Sequence, residues 1–123
     1  MTKSILLIDD DQDIRDVVQL ALQKFTQWQV SVAASGQEGL EYAKRQGFDA
    51  ILLDISMPDM DGFSVFECLQ SDPRTQAIPV ILLTAKVLPS DRRRFAEMRV
   101  SGVISKPFNP ISVGNQVAQL LHW

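Results

Sequence analysis

The 123-residue sequence predicts an α/β fold, a doubly wound five-stranded parallel sheet in the order 2-1-3-4-5 with five helices. Three observations predict it. Short apolar runs such as "SILLID" and "DAILLD" read as strands buried on both faces, the kind that parallel sheets contain. Stretches with a 3.6-residue apolar period separate them. The two kinds of segment alternate from end to end, which argues for five β–α units joined by right-handed crossovers. With no internal repeat, low-complexity tract or linker, residues 1–123 are expected to form a single domain with no output domain attached.

Taken in order, "SILLID" is the first strand. Ile14, Val17, Val18, Ala21, Leu22 and Phe25 then recur at helical spacing, giving an amphipathic helix from Asp11 to Phe25. "QVSVAA" is the second strand. "SGQE" offers a capping box, with Ser35 as N-cap and Glu38 three residues on, and Gly47 follows the helix that reaches Arg45. "DAILLD" is the third strand and "MPDMDG" a loop punctuated by Pro58 and Gly62. A third helix is expected over Phe63 to Leu69, and "IPVILLT" is the fourth strand. Ser90 and Asp91 are expected to cap a fourth helix reaching Arg99. "GVIS" is the fifth strand, "KPFNP" a turn, and Ile111 to Leu121 the last helix.

Composition narrows the function. The net charge of −3 does not suggest a nucleic-acid surface, which needs a basic balance. Cys68 is the only cysteine, so neither an internal disulfide nor a cysteine zinc site is expected. No apolar run approaches a membrane span, and the N-terminus makes a poor signal peptide, so a cytoplasmic location is expected. The acidic residues are uneven: 11 of the 15 are Asp, and five fall between Asp9 and Asp16.

In doubly wound sheets, ligands bind beyond the carboxyl ends of the strands. There strand one ends at Asp9 and Asp10, strand three at Asp54, strand four at Thr84, and strand five at Ser105 and Lys106. Clustered carboxylates stay ionised most simply around a hard divalent cation, and Mg²⁺ takes carboxylate, carbonyl and water oxygens. A Mg²⁺ with open positions commonly serves a phosphate. Lys106 would add a point charge, Thr84 a hydroxyl donor, and Asp54 a carboxylate nucleophile able to form an acyl phosphate.

The acidic pair after "ILLI", then "LLDISMPDMDG", "LLTA" and "SKPF", in this order and spacing, resemble the receiver domain of two-component response regulators over essentially the whole chain. The resemblance implies a flavodoxin-like fold. It implies Asp54 as phosphoacceptor, and Asp9, Asp10, Asp54 and the Ser56 backbone carbonyl as Mg²⁺ ligands. It implies Thr84 as the switch hydroxyl, Lys106 as the phosphoryl contact, and a cis Lys106–Pro107 bond. The implied phosphodonor is a sensor histidine kinase or phosphotransfer protein. Output is implied through the face built from the fourth and fifth helices and fifth strand, toward an unidentified protein target, by a monomer or a phosphorylation-dependent dimer, with no direct contact to nucleic acid or membrane. The chain would be no enzyme beyond its own phosphorylation and dephosphorylation. An alternative is a degenerate receiver acting as a phosphorylation-independent interaction module. One departure matters: Val103 stands where much of the family has an aromatic residue that moves with the threonine. Either the output face is rewired, or Phe108 or the loop "KVLPSDRR" carries the change. Ser56 and Lys86 occupy positions that tune dephosphorylation in the family.

Plainer readings compete elsewhere. Asp11, Asp13 and Asp16 suit the positive end of a helix dipole. Asp59 and Asp61 suit turns. Arg92, Arg93 and Arg94 suit a solvated face, with partner docking as the sharper reading. Trp28 and Trp123 read as packing residues, Cys68 as a small core residue, and His122 as structural. Val113 and Leu120 fall off the stripe of Ile111, Val117 and Leu121 and are expected to be exposed.

Overall fold

The computed structural model describes residues 2–58, 60–85 and 88–123. The order is β1 (Ser4–Ile8), α1 (Gln12–Phe25), β2 (Gln29–Ala33), α2 (Gly36–Arg45), β3 (Ala50–Asp54), α3 (Gly62–Ser71), β4 (Val80–Thr84), α4 (Pro89–Glu97), β5 (Gly102–Ser105) and α5 (Val113–Leu121). The five strands pair in parallel in the order β2-β1-β3-β4-β5, as predicted.

Because successive strand residues face opposite sides of a sheet, the apolar strands feed two cores. Leu6, Ile8, Ile51, Leu53, Val80 and Leu82 pack under α2, α3 and α4 with Val65, Leu69 and Phe95. Ile5, Leu7, Leu52, Ile81, Leu83 and Ile104 pack under α1 and α5 with Val18, Leu22, Val113 and Val117. This double burial is why β1, β3 and β4 are continuous apolar runs rather than alternating ones.

Local signals set most boundaries. Asp11 is the N-cap of α1, its Oδ1 accepting from the Asp13 and Ile14 amides at 2.9 and 3.4 Å. Ser35 caps α2 by accepting from the Glu38 amide at 3.1 Å. Asp61, expected only to form a turn, caps α3 through the Ser64 amide at 2.9 Å. Asp59 and Lys86 lie outside the described residues.

Three helices differ from expectation at their ends. α3 continues to Ser71. α4 starts at Pro89, not after Ser90, and ends at Glu97. Pro89 fills the first helical position, where a missing N–H costs nothing, and Asp91 reaches back to accept from the Leu88 amide at 3.3 Å. α5 starts two residues late, because Asn109 Oδ1 holds the Ile111 amide in the preceding turn at 2.8 Å. The expected stripe holds at Val117 and Leu121 but not at its start: Val113 is buried, Ile111 is 66% exposed, and Leu120 packs partly against the core. Trp28 and Trp123 form an edge-to-face pair, with ring centroids 5.1 Å apart. Cys68 packs partly against the first core, and His122 caps α5 with a left-handed backbone.

Candidate functional site

Strand register delivers the site. Ile8 pairs with Leu53, so Asp9 and Asp54 leave the sheet side by side. Asp54 pairs with Leu83 and Thr84 with Ser105, which brings β4 and β5 to the same edge. Asp9, Asp54 and Thr84 are buried, while Asp10 is exposed. Asp9, Asp10, Asp11, Asp54, Ser56, Ala85 and Lys106 line one cavity of about 230 Å³.

Lys106 crosses this edge. Its Nζ donates to Asp9 Oδ2 at 2.9 Å and to Asp54 Oδ1 at 3.2 Å. Its amide donates to the Thr84 carbonyl at 2.8 Å, tying the end of β5 to β4. The Lys106–Pro107 bond is cis, as the resemblance implies. Asp9 Oδ1 accepts from the Asp11 amide at 2.9 Å, and Asp54 Oδ1 from the Ser56 amide at 3.3 Å.

Burial, reinforced by the charge of Asp9, raises the Asp54 pKa from 3.8 to about 6, against the opposing pull of Lys106 and the Ser56 amide. Burial lowers the Lys106 pKa, but its bonds to Asp9 and the two carboxylate charges outweigh this, and the net shift is upward. Asp54 is therefore ionised at neutral pH, and Lys106 is a firm cation.

One carboxylate oxygen from each of Asp9, Asp10 and Asp54 falls within 4.8 Å of the others. Among the described residues, only Lys106 forms an ion pair with these acids. Three hard oxygen donors against one cation leave an excess negative charge in a partly dry crevice, so the donor set fits a divalent oxygen-seeking ion such as Mg²⁺. Asp9, Asp10, Asp54, Ser56 and Lys106 thus line one cavity, and Thr84 ends the strand beside Asp54.

Two contributors escaped sequence reasoning. Arg15 Nη1 donates to the Asp9 carbonyl at 2.8 Å, fixing the strand end that carries the acids. A charged residue inside an amphipathic helix gives no sign of that reach. Gly62 is a loop glycine by sequence, but its amide donates to the Ile55 carbonyl at 2.9 Å, which seats α3 directly on the segment after Asp54.

A parallel 2-1-3-4-5 sheet with an acidic crevice and one lysine at its carboxyl edge defines a class of small α/β signalling domains. The family model described as "Response regulator receiver domain" matches residues 5–118, and the chain belongs to that family. Response regulator Rre1 of Synechocystis is 33% identical over 118 residues, 96% of this chain and 51% of Rre1. The chain spans about half the length of the curated relatives it matches. Vibrio cholerae chemotaxis protein CheY4 superposes with a TM-score of 0.89 at 28% identity, covering 98% of this chain and 99% of CheY4. The receiver domain of sensor histidine kinase PA1611 from Pseudomonas aeruginosa, solved with magnesium in its active-site cleft, gives 0.87 at 26% identity with full coverage of both chains. Receiver domains are signalling modules rather than classical enzymes. Among the described residues, no helix is long and apolar enough to cross a membrane.

Proposed function

We propose that the chain is a single receiver unit that takes a phosphoryl group onto Asp54 from a histidine kinase or phosphotransfer protein, and signals through phosphorylation-dependent protein contact of its α4–β5–α5 face. The observation that carries this reading is the meeting of Asp9, Asp10 and Asp54 within 4.8 Å, with Lys106 bridging Asp9 and Asp54. Asp9, Asp10, Asp54 and the Ser56 carbonyl would hold Mg²⁺, which supplies charge neutralisation for a transferring phosphoryl group. The magnesium in the PA1611 cleft supports that assignment.

The ionised Asp54 carboxylate is the nucleophile. As its oxygen bonds to phosphorus, the P–N bond to the donor imidazole breaks, and the leaving nitrogen keeps the electron pair and takes a proton. The new acyl phosphate lies beside Lys106, whose ammonium exchanges its Asp54 contact for a phosphoryl oxygen. Thr84, at the end of the neighbouring strand, offers the second donor. The lysine thus moves between carboxylates and phosphate, a local charge change of the kind that biases a two-state element.

Intact-mass spectrometry after incubation with Mg²⁺ and acetyl phosphate tests this reading. Wild type is expected to gain one phosphoryl group. Asp54→Asn and an EDTA-treated sample are expected to gain none. An equal gain by Asp54→Asn would move the acceptor elsewhere, and no gain by wild type from either acetyl phosphate or a phosphorylated donor protein would remove the phosphorylation step.

A further inference from the structure

We infer that Arg15 is a positioning residue for the cation-binding acids. Its bond to the Asp9 carbonyl sets Asp9 and Asp10 for Mg²⁺ and favours that ion over Ca²⁺, despite the repulsion its own charge adds. This deepens the proposed Mg²⁺ site and rests on that part of the reading, but not on phosphorylation or output.

Five aspartates lie between Asp9 and Asp16, and a guanidinium among them is expected to pair with a carboxylate. Arg15 does not. Its Nη1 donates to the Asp9 backbone carbonyl at 2.8 Å, and among the described residues it forms no ion pair. Of the seven arginines in the chain, it is also the only one that is not exposed. The side chain is thus committed to the end of β1 rather than to solvent or to the acids of its own helix.

The bond matters most for Asp10. Asp9 has other ties: its amide donates to the Ala33 carbonyl at 3.1 Å, and its carboxylate accepts from the Asp11 amide and from Lys106, each at 2.9 Å. The Asp10 side chain is exposed, and among the described residues no donor reaches its carboxylate. A peptide unit is planar, so a carbonyl held at Asp9 also fixes the Cα of Asp10. Arg15 therefore orients the acid that has the least other support. Mg²⁺ demands near-ideal octahedral geometry, whereas Ca²⁺ accepts flexible arrangements of more oxygens. A rigid acid pair favours the smaller ion. Charge acts in the opposite direction, because a cation bonded beside the acids repels a second cation. Removing Arg15 would tighten Mg²⁺ binding if charge dominated, and weakens it if positioning does.

Titrating the unphosphorylated full chain with MgCl₂ and with CaCl₂, followed by ¹⁵N amide chemical shifts, tests this. Arg15→Met keeps most of the stem and removes the donor and the charge. Its Kd for Mg²⁺ is expected to rise about tenfold, the lower end for losing a group that orients a metal ligand. Ca²⁺ affinity is expected to fall by less, so the preference for Mg²⁺ narrows. Arg15→Lys, which restores a donor and the charge, is expected to recover part of the Mg²⁺ affinity. Arg45→Met, on α2, is expected to bind both ions as wild type does. Circular dichroism verifies each fold, and Arg15→Gln, neutral and shorter, carries the same expectation should Arg15→Met not fold. In acetyl phosphate kinetics, Arg15→Met is expected to need about tenfold more Mg²⁺ for half the maximal rate, with the rate at saturation retained. Equal or tighter Mg²⁺ binding by Arg15→Met overturns the inference, as do equal losses for Mg²⁺ and Ca²⁺. A wild type that binds no Mg²⁺ overturns it together with the metal assignment. Mg²⁺ binding that depends on Arg15 in a chain that gains no phosphoryl group supports it and sinks the phosphorylation reading alone.

Discussion

Gly62→Ala is expected to destabilise the protein by about 3 kcal/mol, at the upper end of the range for overpacking a tight contact. A Cβ at this position would lie 2.6 Å from the Asp54 carbonyl oxygen and 2.7 Å from Ile55 Cα. Both are backbone atoms, so no rotamer change relieves the clash. Either the N-terminus of α3 lifts, breaking the Gly62 amide bond to Ile55, or the chain after Asp54 is pushed aside. The second route moves the acceptor carboxylate relative to Asp9 and Lys106. The rate of phosphorylation by acetyl phosphate is then expected to fall about tenfold or more, as it does when reacting groups are displaced by fractions of an ångström. Among the described residues no glycine has a positive φ, so the constraint at Gly62 is space, not backbone conformation. Gly47→Ala supplies the control. Its Cβ would meet nothing within 4 Å, and it is expected to leave stability unchanged or raise it by about 0.5 kcal/mol. Urea unfolding and mass-resolved phosphorylation kinetics read both effects. Wild-type behaviour of Gly62→Ala in both would show that the α3–β3 contact has room the structure does not suggest.

The contrast between Gly62 and the acids shows what the sequence can carry. Strand identity was legible because burial on both faces leaves continuous apolar runs in β1, β3 and β4. The acids were legible because polar residues that end buried strands collect at one edge of a parallel sheet. Asp9, Asp10, Asp54, Ser56 and Lys106 do line one cavity. Properties set by tertiary contact left no trace in local pattern. The start of α5 depends on a side-chain bond from Asn109, so Val113 was misplaced and Ile111 wrongly given to the core stripe. The Arg15 bond to the Asp9 carbonyl depends on how α1 lies over the strand end. Sequence singled out Val103 and the arginines of α4 separately, and only the packing shows that Arg92 and Val103 line one cavity between α4 and β5.

Lys106→Met is expected to cost about 3 kcal/mol of stability near pH 8 without Mg²⁺, the lower end for breaking a buried ion pair by removing one partner. Lys106 Nζ holds two side chains that are 0% and 5% exposed, Asp9 and Asp54. Methionine keeps most of the stem but leaves two adjacent carboxylates with no cation. The pH dependence fixes the cause. In wild type the folded-state pKa of Asp54 is already raised from 3.8 to about 6, with Lys106 pulling it down. A raised carboxylate pKa means that the folded state binds more protons than the unfolded state between the two values. Stability therefore falls as pH rises through that window and recovers as pH falls. Without Lys106 the folded pKa moves higher still. The variant is then expected to regain stability on acidification from above pH 6, more steeply than wild type. Mg²⁺ is expected to restore more stability to the variant than to wild type, since the ion replaces a cation that wild type already has. Adding Asp54→Asn to Lys106→Met is expected to recover most of the loss, giving a large coupling energy in a double-mutant cycle. A loss that is equal at acid and alkaline pH and insensitive to Mg²⁺ would instead trace the effect to packing of the lysine stem. The pattern expected here would show that the folded protein holds its acids in a repulsive arrangement that one lysine only partly offsets, which is the electrostatic condition for taking up a divalent cation.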